Sequence, residues 1–531
     1  MSNDLTTSEN ALSNSAYAGL RRVSQPALIA LVLGLVALGI SLWQLTDPGF
    51  LSLYNSGVYF AASFKFVQGV MPYRDFVFVQ PPGLVVLLSP LALLGRALGA
   101  PHGFLAARLV TAFVGSANVS MIALLVRHRG RIAMIIAGGG LAFLPVNFFD
   151  ASSVMLEPYC LFFLLAGALV VFNEKIESDL SYRTLTVAGI LVGVAASIKL
   201  WALLVLLALV LSLLRSGRQR LTVLIGSAAA AFSLISLPFF IAAPRQFISQ
   251  VVGAQLFRSS NHSNNVSILR RMINLTGFAP THVVTVGAQA FTIFAIFAML
   301  VVIAFSYRPR HSSVDNFLLL ASLTSAGALL LAREFYSYYA NFTAPFLVGL
   351  LAVTLARLGS VSRGSLKPVA IRRSVRQLVR VTAGVATVVL LYGVALWYVT
   401  QYSHFDWAYG SYGPWESAEA RYVPSGACVL YSDISYGILS NRLTSTDPTC
   451  PNVVDPDGLW LASRSQWNQP TAAFVSQWRG YFERAQYVVL LYPKVSRIPW
   501  NASLTSWFDS HYHRIHGGRL LYIYENDAVR S

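Results

Sequence analysis

Long apolar runs recur along the 531 residues, at 26–45, 104–126, 131–149, 158–173, 184–198, 201–214, 221–243, 284–306, 316–332, 341–357 and 381–400. Runs of about 17–25 apolar residues are long enough to cross the hydrocarbon layer as helices, the simplest way to satisfy backbone polar groups there. The pattern predicts a polytopic α-helical membrane protein with about eleven spans. The runs at 184–198 and 201–214 are split only at Ser197-Ile198-Lys199 and read either as two spans or as one long kinked element. A further apolar stretch, 81–98, opens on Pro81-Pro82-Gly83 and is broken by Pro90, Gly95 and Arg96, so it reads as a re-entrant or interface-lying helix. Composition agrees: charged residues are 11% and hydrophobic residues 55% of the chain. Soluble proteins carry about 25% charged residues, so a disordered tail, a coiled coil, a disulfide-dense secreted module and almost any soluble enzyme are excluded.

The net charge of +17 is mainly an orientation signal. With the N-terminus in the cytoplasm, nineteen Lys and Arg fall in cytoplasmic segments, Arg127 to Arg131 and Arg357 to Arg380 among them, against ten on the outer face up to residue 400. That is the positive-inside bias. No aromatic-interleaved basic patch accompanies the charge, which argues against nucleic acid as a partner. Residues 1–25 read as a disordered cytoplasmic N-terminus, and the first helix as a retained span because no small-residue cleavage site follows it. Residues 26–400 form the membrane domain, with a large first outer loop at 46–103 and another at 244–283. Residues 401–531 change in composition and alternate short strands with a helix near 471–484, the pattern of an extracytoplasmic α/β domain. Cys160 lies in an apolar span and reads as a small buried hydrophobe. Cys428 and Cys450 both fall in the outer domain, where a disulfide is favoured over two free thiols.

Acids are scarce, so their places are informative. Asp47, Asp75, Asp150, Glu157 and Glu334 all fall at outer ends of helices or in the first outer loop, where ionisable groups often line a functional cavity. Capping and local ion pairing are the alternative, favoured for Asp150 and for Glu334 beside Arg333, and left open for Asp75 beside Arg74. The same face carries Lys199, Arg258, Arg270, Arg271 and Arg333, with His262 nearby, cations suited to an anionic headgroup. Lys199 sits between two apolar runs, where the alternative is snorkelling to the interface.

The first outer loop reads Gly69-Val70-Met71-Pro72-Tyr73-Arg74-Asp75-Phe76 and then Gln80-Pro81-Pro82-Gly83. It resembles the polyprenyl-phosphate-dependent GT-C glycosyltransferases, a group that includes the aminoarabinose transferases and protein O-mannosyltransferases. Leu156-Glu157-Pro158-Tyr159, the stretch 195–201 with its Lys, and Tyr336-Ser337-Tyr338-Tyr339 extend the similarity, and the outer tail resembles that of actinobacterial members. The resemblance implies a GT-C-like membrane domain in the plasma membrane with its site facing outward. It implies an inverting transfer of a sugar, guessed as mannose or arabinofuranose, from a polyprenyl-phosphate donor to an envelope glycan or glycolipid. A carboxylate takes the proton of the acceptor hydroxyl, a weak nucleophile otherwise, while Lys and Arg offset the charge on the departing phosphate. On this reading Asp75 is the base, with Glu157 or Asp47 as alternatives, and Tyr73, Gln80, Tyr336 and Tyr338 contact the acceptor. No organic cofactor is implied; a divalent metal is compatible, but no metal-ligand constellation stands out, the cluster His511, His513 and His516 included.

One position departs from the pattern. Many members carry an acid shortly after the first span, where this chain reads Asn55-Ser56-Gly57-Val58-Tyr59, and Asn cannot act as a base. Two rival readings therefore stand beside the transferase: a transporter or flippase of lipid-linked sugar, and a non-catalytic partner in envelope glycan assembly. The tail holds seven of the chain's tryptophans, suited either to stacking on sugar rings or to filling a core.

Overall fold

The computed structural model describes residues 24–45, 54–173, 180–256, 267–277, 312–361, 415–466, 469–518 and 521–529. Asp47, Arg258, His262 and the runs at 284–306 and 381–400 lie outside the described residues. The other apolar runs all fall on helices: α1 (Gln25–Leu45), α4 (Ala100–Leu125), α5 (Arg131–Ala142), α6 (Pro145–Ala151), α7 (Leu156–Phe172), α8 (Tyr182–Ile198), α9 (Ala202–Ser212), α10 (Arg218–Ala242), α12 (Ser313–Leu331) and α13 (Ala340–Val361). Between them come α2 (Tyr54–Phe66) and α3 (Gly83–Leu98) in the first loop, and α11 (Ile268–Leu275) in the later one. Five of these helices are long and apolar enough to cross a membrane alone, and α5 with α6 make an apolar pair bent by 62°, the geometry of a broken span or a re-entrant loop. Pro145 opens α6 and lacks the N–H that would continue α5, which explains the break.

Small residues set the packing. A Cβ on Gly189 of α8 would run into Leu224 and Ser227 of α10, and one on Gly193 into Ala228 and Ala231. Close approach of this kind lets helices associate without a hydrophobic driving force between them. The two contacts advance together along both helices, so α8 and α10 run parallel, and α9 between them must run back. The runs at 184–198 and 201–214 are therefore two elements that reverse at Lys199–Trp201, not one kinked helix.

The bundle has two chemically distinct ends. At one end Asp315, at the start of α12, is buried among Arg129, His128 at 3.1 Å and Arg357 at 3.4 Å. At the other end stand α2, α3, the α6–α7 and α8–α9 junctions and the start of α13. Helix α3 stays at this loop-bearing end: its Gly83 touches Ser197 at the end of α8, and its Gly95 touches Gly103 at the start of α4. Its inward side buries Leu84, Val85, Leu88 and Ala92, while Val86, Leu87, Leu93, Leu94 and Leu98 remain exposed. Such a half-exposed apolar helix lies along the end of the bundle rather than through it.

Residues 415–529 carry a four-stranded mixed sheet of order β1 (Val429–Tyr431), β2 (Tyr487–Leu490), β4 (Tyr522–Asn526), β3 (Tyr512–Gly517). Strands β1 and β2 are parallel and the others antiparallel. Helices α14 (Trp415–Tyr422), α15 (Ser435–Leu439), α16 (Pro456–Ser463), α17 (Ala472–Phe482) and α18 (Ala502–His511) surround it. Cys428 and Cys450 are joined in a disulfide. Trp460 and Trp478 are buried in the interior of this domain, Trp500 stacks on Phe482, and the half-buried Trp507 stacks on His511. His513 pairs with Asp527 and Glu525, and no metal-binding group of His, Cys, Asp or Glu occurs among the described residues.

Candidate active site

Four elements bring a polar cluster together at the loop-bearing end. Glu157 stands in the first turn of α7, where the helix N-terminus favours a negative charge. Lys199 ends α8 in an extended conformation, φ −149° and ψ 125°, and its side chain turns inward to Glu157 with Nζ to Oε1 at 2.5 Å. Both are buried. The ammonium also lies 3.6 Å from the ring centre of Trp201 and 4.8 Å from that of Tyr339, so its charge is met by a carboxylate and two aromatic faces. Snorkelling to the interface is thus not its fate.

Asp150 of α6 lies in the electrostatic reach of this pair and accepts at Oδ2 from Asn341 Nδ2 of α13 at 2.9 Å. Its other oxygen, and Glu157 Oε2, are buried with no hydrogen-bond partner in the structure. Such atoms are costly to leave unmade, and a functional role is one way they come to be kept. Tyr336, Tyr338 and Tyr339 form the wall opposite: Tyr336 stacks on Tyr338, and Tyr338 meets Tyr339 edge-on at 5.0 Å. Asn55 of α2 reaches into the same wall and donates to the Tyr338 hydroxyl at 3.0 Å.

The other expected residues are distributed differently. Asp75 lies apart in the first loop, paired with Arg74 at 2.8 Å and accepting from the Met71 N–H at 2.7 Å. The bond to Arg74 holds its carboxyl below the usual range. Tyr73 is buried with φ 68°, and its hydroxyl donates to the Gln80 carbonyl at 2.6 Å, so Tyr73 and Gln80 brace the loop. Arg271 of α11 donates to the carbonyls of Leu330, Ala332 and Arg333, capping the C-terminus of α12 with a cation. Arg270 and Arg333 are exposed, and Glu334 is buried with the Tyr336 hydroxyl 3.5 Å away. Sequence reading missed Asn341 and Trp201 as members of the cluster. An amide in an otherwise apolar run was the signal for Asn341.

A polytopic bundle with its loops, a buried ion pair and a mixed-sheet tail gathered at one end has the GT-C fold. Over residues 78–333, from the loop before α3 to the end of α12, the sequence matches the model of Glycosyltransferase family 87. That stretch contains Glu157, Lys199 and Asp150 but stops short of Asn55, Asp75 and the tail. The structure resembles ArnT from Cupriavidus metallidurans bound to undecaprenyl phosphate, with 14% identity, a TM-score of 0.54, and 94% of this chain and 97% of that one covered. It also resembles the oligosaccharyltransferase of Archaeoglobus fulgidus tethered with an acceptor peptide, with 13% identity, a TM-score of 0.54, and 95% of this chain and 74% of that one covered. No curated protein matches the sequence. The likeness to polyprenyl-phosphate-dependent GT-C glycosyltransferases read from the sequence therefore holds in the fold and in the family match.

Proposed function

We propose that the chain is a membrane glycosyltransferase that moves a sugar from a polyprenyl-phosphate donor to an envelope glycan or glycolipid outside the cytoplasm, with inversion; mannose and arabinofuranose are the sugars favoured. The buried Glu157–Lys199 pair at the loop-bearing end carries this reading. The basic end with Arg129 and Arg357 faces the cytoplasm by the positive-inside rule. Donor phosphate enters beside Lys199 and competes with Glu157 for its ammonium. Glu157, released, takes the proton as the acceptor oxygen bonds to the anomeric carbon and the carbon–phosphate oxygen bond breaks, its electron pair leaving on polyprenyl phosphate. Lys199 offsets that charge in a site shielded from water. The geometry favours Glu157 over Asp75, whose carboxylate is already engaged by Arg74 and Met71.

Purified protein given radiolabelled polyprenyl-phosphate mannose or arabinofuranose and envelope glycolipids is expected to form a new glycosidic bond. Glu157→Gln should abolish transfer and Asp75→Asn should spare most of it; the reverse ranking would return the base to the loop. Carrier crossing vesicles with no new glycosidic bond would overturn the transferase reading in favour of a flippase.

A further inference from the structure

A cleft of about 660 Å³ opens between the first loop, residues 68–77, and residues 448–459 of the tail. We propose that this cleft holds the glycan portion of the acceptor, the sugar units beyond the hydroxyl that is modified. The proposal rests on the transferase reading but names a site that the buried ion pair does not include.

The lining has the chemistry of a neutral polyol site. Hydroxyls both donate and accept, so a site for them needs donors and acceptors together. Asp75 supplies carboxylate oxygens, Arg74 and Arg484 supply guanidinium donors, and Asn452 and Gln246 supply amides that do both. Tyr481 adds an aromatic face, its hydroxyl already held by Gln477 Nε2 at 2.6 Å. Two carboxylates, Asp75 and the buried Asp455, are matched by two guanidiniums, Arg74 and Arg484, so the wall has no net charge and suits a neutral occupant. The volume falls within the about 300–1,000 Å³ usual for small-molecule sites.

The walls are set in advance, which lowers the cost of ordering a flexible glycan. On the loop side Tyr73 is locked to Gln80, and Gln250 is held by accepting from the Phe78 N–H at 3.0 Å. On the tail side Cys450 is tied to Cys428, and Asp447 fixes the turn by accepting from Thr449 at 2.8 Å. The cleft is also wired to the ion pair. Asp455 on its wall accepts from the Tyr54 hydroxyl at 2.6 Å, and the next residue, Asn55, reaches Tyr338 beside the Lys199 cage. A hydrogen-bonded path through α2 thus joins the wall of the cleft to the wall of the ion-pair site.

The test measures binding and transfer separately. The full chain in nanodiscs is titrated with linear manno- and arabino-oligosaccharides of one to six units, and transfer is followed on acceptors of matched length. Tyr481→Ala and Asn452→Ala touch neither the ion pair nor the disulfide, and an unchanged melting temperature confirms that each folds. Each is expected to weaken binding of the longer oligosaccharides about tenfold, a loss of one good contact, and to raise KM for long acceptors with kcat and single-unit acceptors unaffected. Binding of no oligosaccharide, or binding indifferent to both variants, would overturn the cleft even where transfer proceeds. Absence of transfer with Tyr481-dependent binding would sink the transferase reading and leave the cleft standing.

Discussion

The side-chain amide of Asn55 donates to the hydroxyl of Tyr338 at 3.0 Å, across 283 residues of sequence. The position where the resemblance leads one to expect an acid is here a hydrogen-bond donor that ties the first-loop helix α2 to the wall of the ion-pair site. Removing the amide leaves Tyr338 without that partner, at about 1 kcal/mol for an ordinary hydrogen bond. Asn55→Ala should therefore lower transfer about fivefold, whereas Asn55→Asp, which accepts from the Tyr338 hydroxyl instead, should stay within about twofold. Steady-state transfer rates check the ranking, and an Asp variant faster than the wild type would mean that position 55 can still host the base.

Lys199 and Glu157 stabilise each other only as a pair. Lys199→Met leaves a buried carboxylate uncompensated, and such losses run to about 3–5 kcal/mol. Its melting temperature in detergent should fall well below that of the double variant Lys199→Met/Glu157→Leu, in which both charges are gone. Both variants should lack transfer. Equal melting temperatures for the single and double variants would show that the charge left behind is not what destabilises the single one.

The tail should grow less stable as pH rises. Burial pushes Asp455 from its ordinary 3.8 up to about 6, and Glu419, enclosed beside Tyr431, from 4.5 up to about 7. An acid whose pKa is raised by folding contributes stability below its unfolded value and loses it as pH climbs through the folded value. The loss falls between about pH 4 and pH 7 and amounts to about 3 kcal/mol for a shift of two units. Protection factors of β2 amides in the full chain, corrected for the intrinsic pH dependence of amide exchange, should be lower at pH 7.5 than at pH 5. Asp455→Asn, which still accepts from Tyr54 and from the Gly458 N–H, should flatten the Asp455 share of that slope.

Gly57 allows α2 to touch the tail. A Cβ there would overlap Ser435 Oγ and stand 3.0 Å from the Ser435 backbone nitrogen. Overpacking of this kind costs about 1–3 kcal/mol. Gly57→Ala should make the tail more sensitive to protease, and adding Ser435→Gly should restore only part of the resistance, because the backbone nitrogen stays. Full recovery would place the conflict in the side chain alone.

The membrane half was legible because hydrocarbon imposes one simple demand, long apolar helices, and α4, α7, α10 and α12 answer it within a few residues of the expected bounds. The reversal between α8 and α9 was not settled, since periodicity cannot distinguish a kink from a turn at Lys199; the parallel contacts of Gly189 and Gly193 decide it. The scarcity of acids brought Glu157, Asp150 and Lys199 into view. It did not reveal that Asp75 lies in a separate cleft, because the loop is held in place by Gln250 accepting from the Phe78 N–H, a contact across 172 residues of sequence. Nor did anything in the sequence join Tyr54 to Asp455 and Arg497, whose guanidinium lies 3.9 Å over the Tyr54 ring. The tryptophans of the tail were open to two uses, and burial of Trp460 and Trp478 assigns those two to the interior.

Within a single turn of α2, Tyr54 faces Asp455 and Arg497, Asn55 faces Tyr338, and Gly57 faces Ser435. Heredity cannot treat the tail as a detachable module under those conditions. A recombinant that took its tail from one parent and its first loop from another would bring together partners never selected to fit. The transferable unit in such a protein is α2 plus the tail, two segments separated by most of the gene yet obliged to travel together.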